Sequence, residues 1–354
     1  MKISKPIIFN KMDIWLFIYL FVAFVFLITI GIRAVKGEID FQYYADSETY
    51  IGMMEENFSF LEVILLNSNL LGPFIILTVF SQSFLAIFIF HVGIISFFYF
   101  RLSKIYNLNK KVLLVLMVIS PILFSSIIVV NKEILSILSV TFFFSFYKNK
   151  NILDIIFALF ISFLVRWQMT LFIISLLVLL SPINIFRNRK ILTLSLFLVA
   201  VSLLYYFNID KFEAINNVVE MSEKLGTDTE GSGIFTKLIN IQNSIPFGYV
   251  IVVLPKFIYL YIGLLARYYN FFDFQNIYIN VIEFLQCLIN LVIIVWIFKR
   301  RISLDNIFLF SAVVYSIIFA LSNIYSPRYF FLVYILLTLS LSCKKDNTRI
   351  SLVL

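Results

Sequence analysis

The chain has 354 residues, of which 62% are hydrophobic and only 14% charged, and its formal net charge is +8. With a mean hydropathy of +1.00 and long apolar runs recurring from end to end, this composition excludes a water-soluble globular domain and fits a polytopic α-helical membrane protein. The positive charge does not point to nucleic acid, because Lys and Arg fall in short clusters between apolar runs, as the positive-inside rule expects.

A membrane β-barrel would show short alternating segments instead. Cys287 and Cys343 lie inside apolar runs and offer neither a disulfide framework nor metal spacing. The lone His91 sits in an apolar run and reads as a packed polar residue, which argues against histidine catalysis. No P-loop, GxGxxG, HExxH or GxSxG stands in a suitable context, so nothing points to nucleotide binding.

In chain order, Lys2, Lys5 and Lys11 place the N-terminus in the cytoplasm, and Ile14 to Ile32 is the first span, read as retained rather than cleaved. Arg33 to Phe60 is an acidic outer loop containing Asp46-Ser47-Glu48-Thr49-Tyr50, where Asp46 and Tyr50 share a face if helical. Leu61 to Phe80, broken by Asn67, Asn69, Gly72 and Pro73, reads as interfacial helices, so the outer segment runs over 33–82. The second span ends near Arg101. Val112 to Val130 is the third, with a kink expected at Pro121 and Ser125 and Ser126 expected to satisfy the freed backbone.

Asn131-Lys132-Glu133 then joins the third span to a fourth, Ile134 to Tyr147, which is short of the ~20 residues that cross a bilayer. Lys132 and Glu133 are therefore expected below the outer headgroups, where charges cost about 2.5–3.5 kcal/mol each and pair or face a protein cavity. A salt-bridged helix cap is the plain alternative. Ile152 to Val165 stops at Arg166-Trp167-Gln168 at the same depth, and Met169 to Ile185 returns to Arg187, Arg189 and Lys190.

Ile191 to Phe207 crosses outward into a large outer loop, 208–275, that includes Arg267. Within it, Pro246 to Ala266 is interrupted by Pro255-Lys256 and is expected to be a re-entrant or interfacial element. Asn276 to Phe298, Asn306 to Ser322 and Phe330 to Leu341 complete about ten transmembrane helices, with Tyr325-Ser326-Pro327-Arg328-Tyr329 as the last outer turn. The expected fold is thus all-α, one transmembrane domain over 1–354, multi-pass, with both termini inside and an acidic outer face. Charges at the outer ends of several spans suit an anionic, lipid-linked substrate: arginines grip phosphate bidentately and carboxylates supply a general base.

The outer-loop Asp46-Ser47-Glu48-Thr49-Tyr50 after a first span resembles membrane glycosyltransferases of the GT-C class. The kinked helix ending in Asn131-Lys132-Glu133, the isolated Arg166 and the terminal Pro327-Arg328-Tyr329 resemble bacterial O-antigen and capsule repeat-unit polymerases of the Wzy type. The chain departs from the pattern in having Asp-Ser-Glu rather than a plain acidic pair, and Arg267 as the only arginine of its large outer loop.

The resemblance implies a GT-C-like fold in the bacterial inner membrane with its site facing the periplasm. The implied reaction joins undecaprenyl-diphosphate-linked glycan units, with membrane lipid and a chain-length regulator protein as partners and no nucleic acid. Asp46 is the implied base, with Glu48 as substitute. Lys132, Arg166 and Arg328, with Arg267, would hold the diphosphate, and Glu133 would orient Lys132 or Arg166. Tyr50, Asn131 and Tyr325 would complete the substrate contacts. No cofactor or metal is required, although Asp-x-Glu is also a pattern that chelates Mg²⁺ or Mn²⁺. The alternatives are a GT-C transferase using a polyprenyl-phosphate sugar, an O-antigen ligase, or a flippase or transporter of lipid-linked glycans.

Overall fold

The structure, a computed structural model, describes residues 11–35, 50–54, 56, 58–208, 232–263, 277–321 and 327–344. Every regular element among them is helical. Helix α1 is Lys11–Phe26 and continues through a π-helical turn, Leu27–Gly31, into Ile32–Val35. Next come α2, Phe60–Asn67; α3, Leu71–Val79; α4, Phe84–Ile105; α5, Lys110–Val118; and α6, Pro121–Ile128. They are followed by α7, Glu133–Asn149; α8, Ile152–Val165; α9, Trp167–Leu180; and α10, Lys190–Tyr206. The remainder are α11, Ser232–Ser244; α12, Gly248–Tyr261; α13, Ile277–Arg300; α14, Ile307–Phe319; and α15, Phe331–Ser342.

Several starts are set by a single side chain. The amides or hydroxyls of Ser83, Asn109, Ser120, Asn151 and Asn306 accept first-turn N–H groups of α4, α5, α6, α8 and α14. Ser59 and Glu62 form a reciprocal capping box on α2, and the two bonds from Ser59 hold the exposed Glu62 carboxyl below its ordinary pKa.

Among the described residues, three helices are long and apolar enough to cross a membrane: Lys11–Gly31, Phe84–Ile105 and Asn280–Arg300. A fourth crossing results if α5 and α6 count as one. These two meet at a bend of 75°. Pro121 opens the second half as its N1 residue, and Ser120 Oγ, rather than Ser125 or Ser126, accepts from Leu123 N to cap it. Six further apolar helices among the described residues have 10–17 residues, shorter than a straight crossing requires. The described residues thus form a helical, multi-pass membrane-type chain with three helices of crossing length and several shorter apolar ones, which does not by itself amount to ten spans.

The burial pattern supports that description independently. On α13, Gln286 and Asn290 are buried while Leu285, Leu288, Leu291, Val292 and Val295 face outward. On α1, Asp13 is buried while Ile14, Trp15, Phe17, Ile18, Phe21 and Val22 are exposed. Polar groups inside and apolar groups outside invert what water demands, and match a hydrocarbon solvent.

Helices α7, α14 and α15 form the centre, with every residue of α15 buried. Around them the basic segments gather at one end. Lys110 Nζ pairs with Asp13 Oδ1 at 2.8 Å, Asn109 N donates to Ser342 O, and Arg300 Nη1 donates to Leu341 O. In the middle, Ser120 Oγ donates to Gln286 Oε1, Gln286 Nε2 to Asn290 Oδ1, and Asn290 Nδ2 to the carbonyl of Tyr261. This buried chain ties the bend between α5 and α6 to α13 and α12. His91 Nδ1 bonds Ile127 O at 3.0 Å, which holds the last turn of α6 against α4.

Helix α12 runs unbroken through Pro255, whereas the sequence suggests an interruption there. It packs against α10 and the 3-10 turn Pro327–Phe330, and its side chains reach the last turn of α14. Tyr249 Oη donates to Ile317 O, and Lys256 Nζ donates to Ala320 O and to Gln242 Oε1. The fully buried Lys256 thus faces a helix C-terminus, where the macrodipole favours a cation.

Candidate functional site

At the end opposite the basic segments, α6 stops at Ile128 and the chain runs extended through Val129 before α7 begins at Glu133. Asn131 builds this turn. Its Nδ2 donates to Ser126 O and Val129 O, both at 3.0 Å, and its Oδ1 accepts from Glu133 N and Ile134 N. All the hydrogen-bonding capacity of the amide is used inside the chain. Asn131 therefore shapes the turn that carries Lys132 and Glu133.

Glu133 opens α7, where the helix dipole favours a carboxylate. Its Oε1 lies 3.5 Å from Arg166 Nη2 and 3.7 Å from Arg328 Nε. Arg166 is a single extended residue serving as C-cap of α8 and N-cap of α9. Its N–H donates to Ser162 O and its carbonyl accepts from Met169 N and Thr170 N. A short turn capped on both sides leaves the side chain projecting from a rigid corner.

Arg328 comes from the 3-10 turn Pro327–Phe330 that leads into α15. Beside it, Tyr329 forms the floor of the site. Arg166 Cζ lies 4.6 Å, Lys132 Nζ 5.8 Å and Arg328 Cζ 6.0 Å from its ring centroid. Phe319 adds a second face, 5.5 Å from Arg166 Cζ, and stacks on Tyr315, whose hydroxyl donates to Tyr329 O.

Two guanidiniums thus flank one carboxylate, and they and Lys132 lie against one aromatic ring. Lys132, Glu133 and Arg166 are 6%, 4% and 5% exposed, and the Arg328 side chain 11%. Such a cluster is costly to bury, and a buried ion pair seldom adds net stability over an apolar substitute. What it offers chemically is a desolvated positive site whose planar guanidiniums fit phosphate oxygens.

Of the residues expected from sequence, Lys132, Glu133, Arg166 and Arg328 converge, with Asn131 supporting them. Asp46, Glu48, Arg267 and Tyr325 lie outside the described residues. Tyr50 is fully buried. The next residue, Ile51, lines a small apolar cleft with Gly31, Phe84, Val129 and Val130, so the chain just after the acidic motif abuts the Asn131 turn. Tyr329 stood in the Pro327-Arg328-Tyr329 motif without a role of its own, and Phe319 had no signal in the sequence. Among the described residues no cluster of three or more His, Cys, Asp or Glu could hold a metal ion. In comparisons with known proteins, no family model matches the chain, and neither a curated protein nor a solved structure matches it.

Proposed function

We propose that the chain is a membrane glycosyltransferase that joins lipid-linked oligosaccharide repeat units, an O-antigen or capsule polymerase of the Wzy type. The observation that carries this reading is the convergence, from three distant chain segments, of Arg166 and Arg328 on Glu133 and of Lys132, Arg166 and Arg328 on Tyr329. It is a buried cationic site at the end of an apolar bundle, as an anionic head on a lipid tail demands. In this reading the site faces the periplasm and the basic segments face the cytoplasm of a bacterial inner membrane.

A sugar hydroxyl of the incoming unit attacks the anomeric carbon of the growing glycan. The bond from that carbon to the diphosphate oxygen breaks, and undecaprenyl diphosphate leaves with the bonding electron pair. Asp46, or Glu48 in its place, takes the hydroxyl proton. Arg166, Arg328 and Lys132 hold the charge that develops on the diphosphate, which counts for most in a water-poor site. Glu133 lies between two guanidiniums, where it would orient them. The test is glycan chain length in cells carrying Asp46→Asn, with the protein quantified in the same membranes. Lipid-linked single units accumulating on the periplasmic face, with no polymer, is the expected result. Long-chain glycan at the wild-type level would reject Asp46 as base, and the same result with Glu48→Gln as well would reject this acid motif.

A further inference from the structure

Three side chains of α11 and α12 grip the end of α14, the helix that carries Tyr315 and Phe319 to the Glu133 cluster. Where α14 ends, Leu321 N donates to Ile318 O, which releases the carbonyl of Ile317 from its regular helical partner. Tyr249 Oη donates to that carbonyl. Just beyond it, Lys256 Nζ donates to Ala320 O at 3.2 Å and Gln242 Nε2 donates to Leu321 O at 3.4 Å. Lys256 Nζ also donates to Gln242 Oε1 at 2.6 Å, which joins the two side chains into one unit. Gly248 lets α11 and α12 approach closely enough for this, since a Cβ there would collide with the carbonyl of Ile241.

Lys256 is fully buried, and burying an ammonium is costly where methionine would fill similar space. Methionine could not hold Ala320 O and Gln242 Oε1 together. The neighbouring residues show what depends on that hold. Phe319, just before Ala320, stacks on Tyr315 with ring centroids 3.9 Å apart and lies 5.5 Å from Arg166 Cζ. Tyr315 Oη in turn donates to the carbonyl of Tyr329, whose ring lies 4.6 Å from Arg166 Cζ. Phe257, next to Lys256, packs against Phe330, the residue after Tyr329, with centroids 5.9 Å apart. Helix α12 therefore braces both carriers of the aromatic rings that face Arg166. We propose that Lys256 is a positioning residue of the cationic site, fixing the Phe319 and Tyr329 rings against which the Arg166 guanidinium is held. Its readout is polymer formation, so this role rests on the function proposed for that site.

The experiment measures the rate of polymer formation in isolated membranes that hold the cells' own lipid-linked units and matched amounts of the full chain. Lys256→Met, Arg166→Lys and the double variant form a cycle. Lys256→Met is expected to slow the reaction roughly tenfold or more, as misplacing a binding group does. Lys256 and Arg166 are not in contact, so a merely structural loss would multiply with that of Arg166→Lys. A loss that acts through Arg166 leaves the double variant within about twofold of the slower single one. Multiplied effects, or a full rate in Lys256→Met, would overturn the proposal. If Lys256→Met does not accumulate in membranes, Tyr249→Phe takes its place, a change of one oxygen that removes only the bond to Ile317 O. It is expected to slow the reaction about threefold with the same non-additivity, and a full rate or multiplied effects would again overturn the role. A full rate in Arg166→Lys would reject the function proposed for the cluster. A slow Arg166→Lys beside a full-rate Lys256→Met would reject the positioning role alone.

Discussion

Arg166 and Arg328 approach Glu133 at 3.5 and 3.7 Å, loose for charge-assisted bonds, and lie 4.6 and 6.0 Å from the centroid of the Tyr329 ring they share. Lysine keeps the charge at either place but loses the planar fork and the stacking surface. If the guanidiniums grip a diphosphate, Arg166→Lys and Arg328→Lys should slow polymer formation roughly tenfold to over a hundredfold, the effect of losing about 1.5–3 kcal/mol in the transition state. The measurement is polymer length in cells with matched protein levels. Normal polymer from both variants would leave the arginines as packing cations only. Asn131 acts differently, because its side chain bonds only to the chain's own backbone. Asn131→Ala should lower unfolding stability by about 1–3 kcal/mol, with activity falling through misplacement of Lys132 and Glu133. A variant of unchanged thermal midpoint in detergent would contradict that role.

Helix starts were legible where a polar cap precedes an apolar run, but not α11, Ser232–Ser244, which lies in a stretch that reads as polar loop, nor the continuity of α12 through Pro255. Asn109, Asn151 and Asn306 start helices where an amide precedes a hydrophobic stretch. The 75° bend between α5 and α6 was only half legible. Pro121 announces a break, but its angle is set by the distant partners of Ser120 and Ile127, namely Gln286 and His91. The convergence of Arg166 and Arg328 on Glu133 could be suspected from common depth, whereas their shared ring could not, since it depends on how α9, α14 and α15 pack. Gly72 shows how closely such packing is set. A Cβ there would lie 2.5 Å from Leu164 O and 2.8 Å from Leu135 Cδ1, in the turn of α8 that ends at Arg166. Gly72→Ala should therefore push α3 off α8, cost about 1–3 kcal/mol and impair the site two residues further on. Full stability and full polymerisation in that variant would mean that α3 is free to shift.

On the scale of the whole molecule, the basic connections meet at one end and the Glu133 cluster lies at the other, so the charge pattern and the packing describe the same axis. Accessibility to a membrane-impermeant thiol reagent tests that axis, provided exposed positions are used. Asn131 and Arg166 are too buried to report, being 2% and 5% exposed. Gln82, in the turn before α4, and Phe207, after α10, are exposed at the cluster end, while Lys148 and Lys299 are exposed at the basic end. In a background with Cys287→Ser and Cys343→Ser, the variants Gln82→Cys and Phe207→Cys should label in intact cells. Lys148→Cys and Lys299→Cys should label only after the membrane is opened, because loops rich in Lys and Arg stay on the cytoplasmic side. The Lys299 position is the most informative. It follows α12, whose side chains reach the last turn of α14 and whose last turn meets the middle of α13. Were α12 a full crossing, the direction of every later helix would reverse, and Lys299→Cys would label from the same side as Gln82→Cys. Labelling of both from outside would therefore sink the arrangement in which Arg328 shares a membrane face with Glu133 and Arg166.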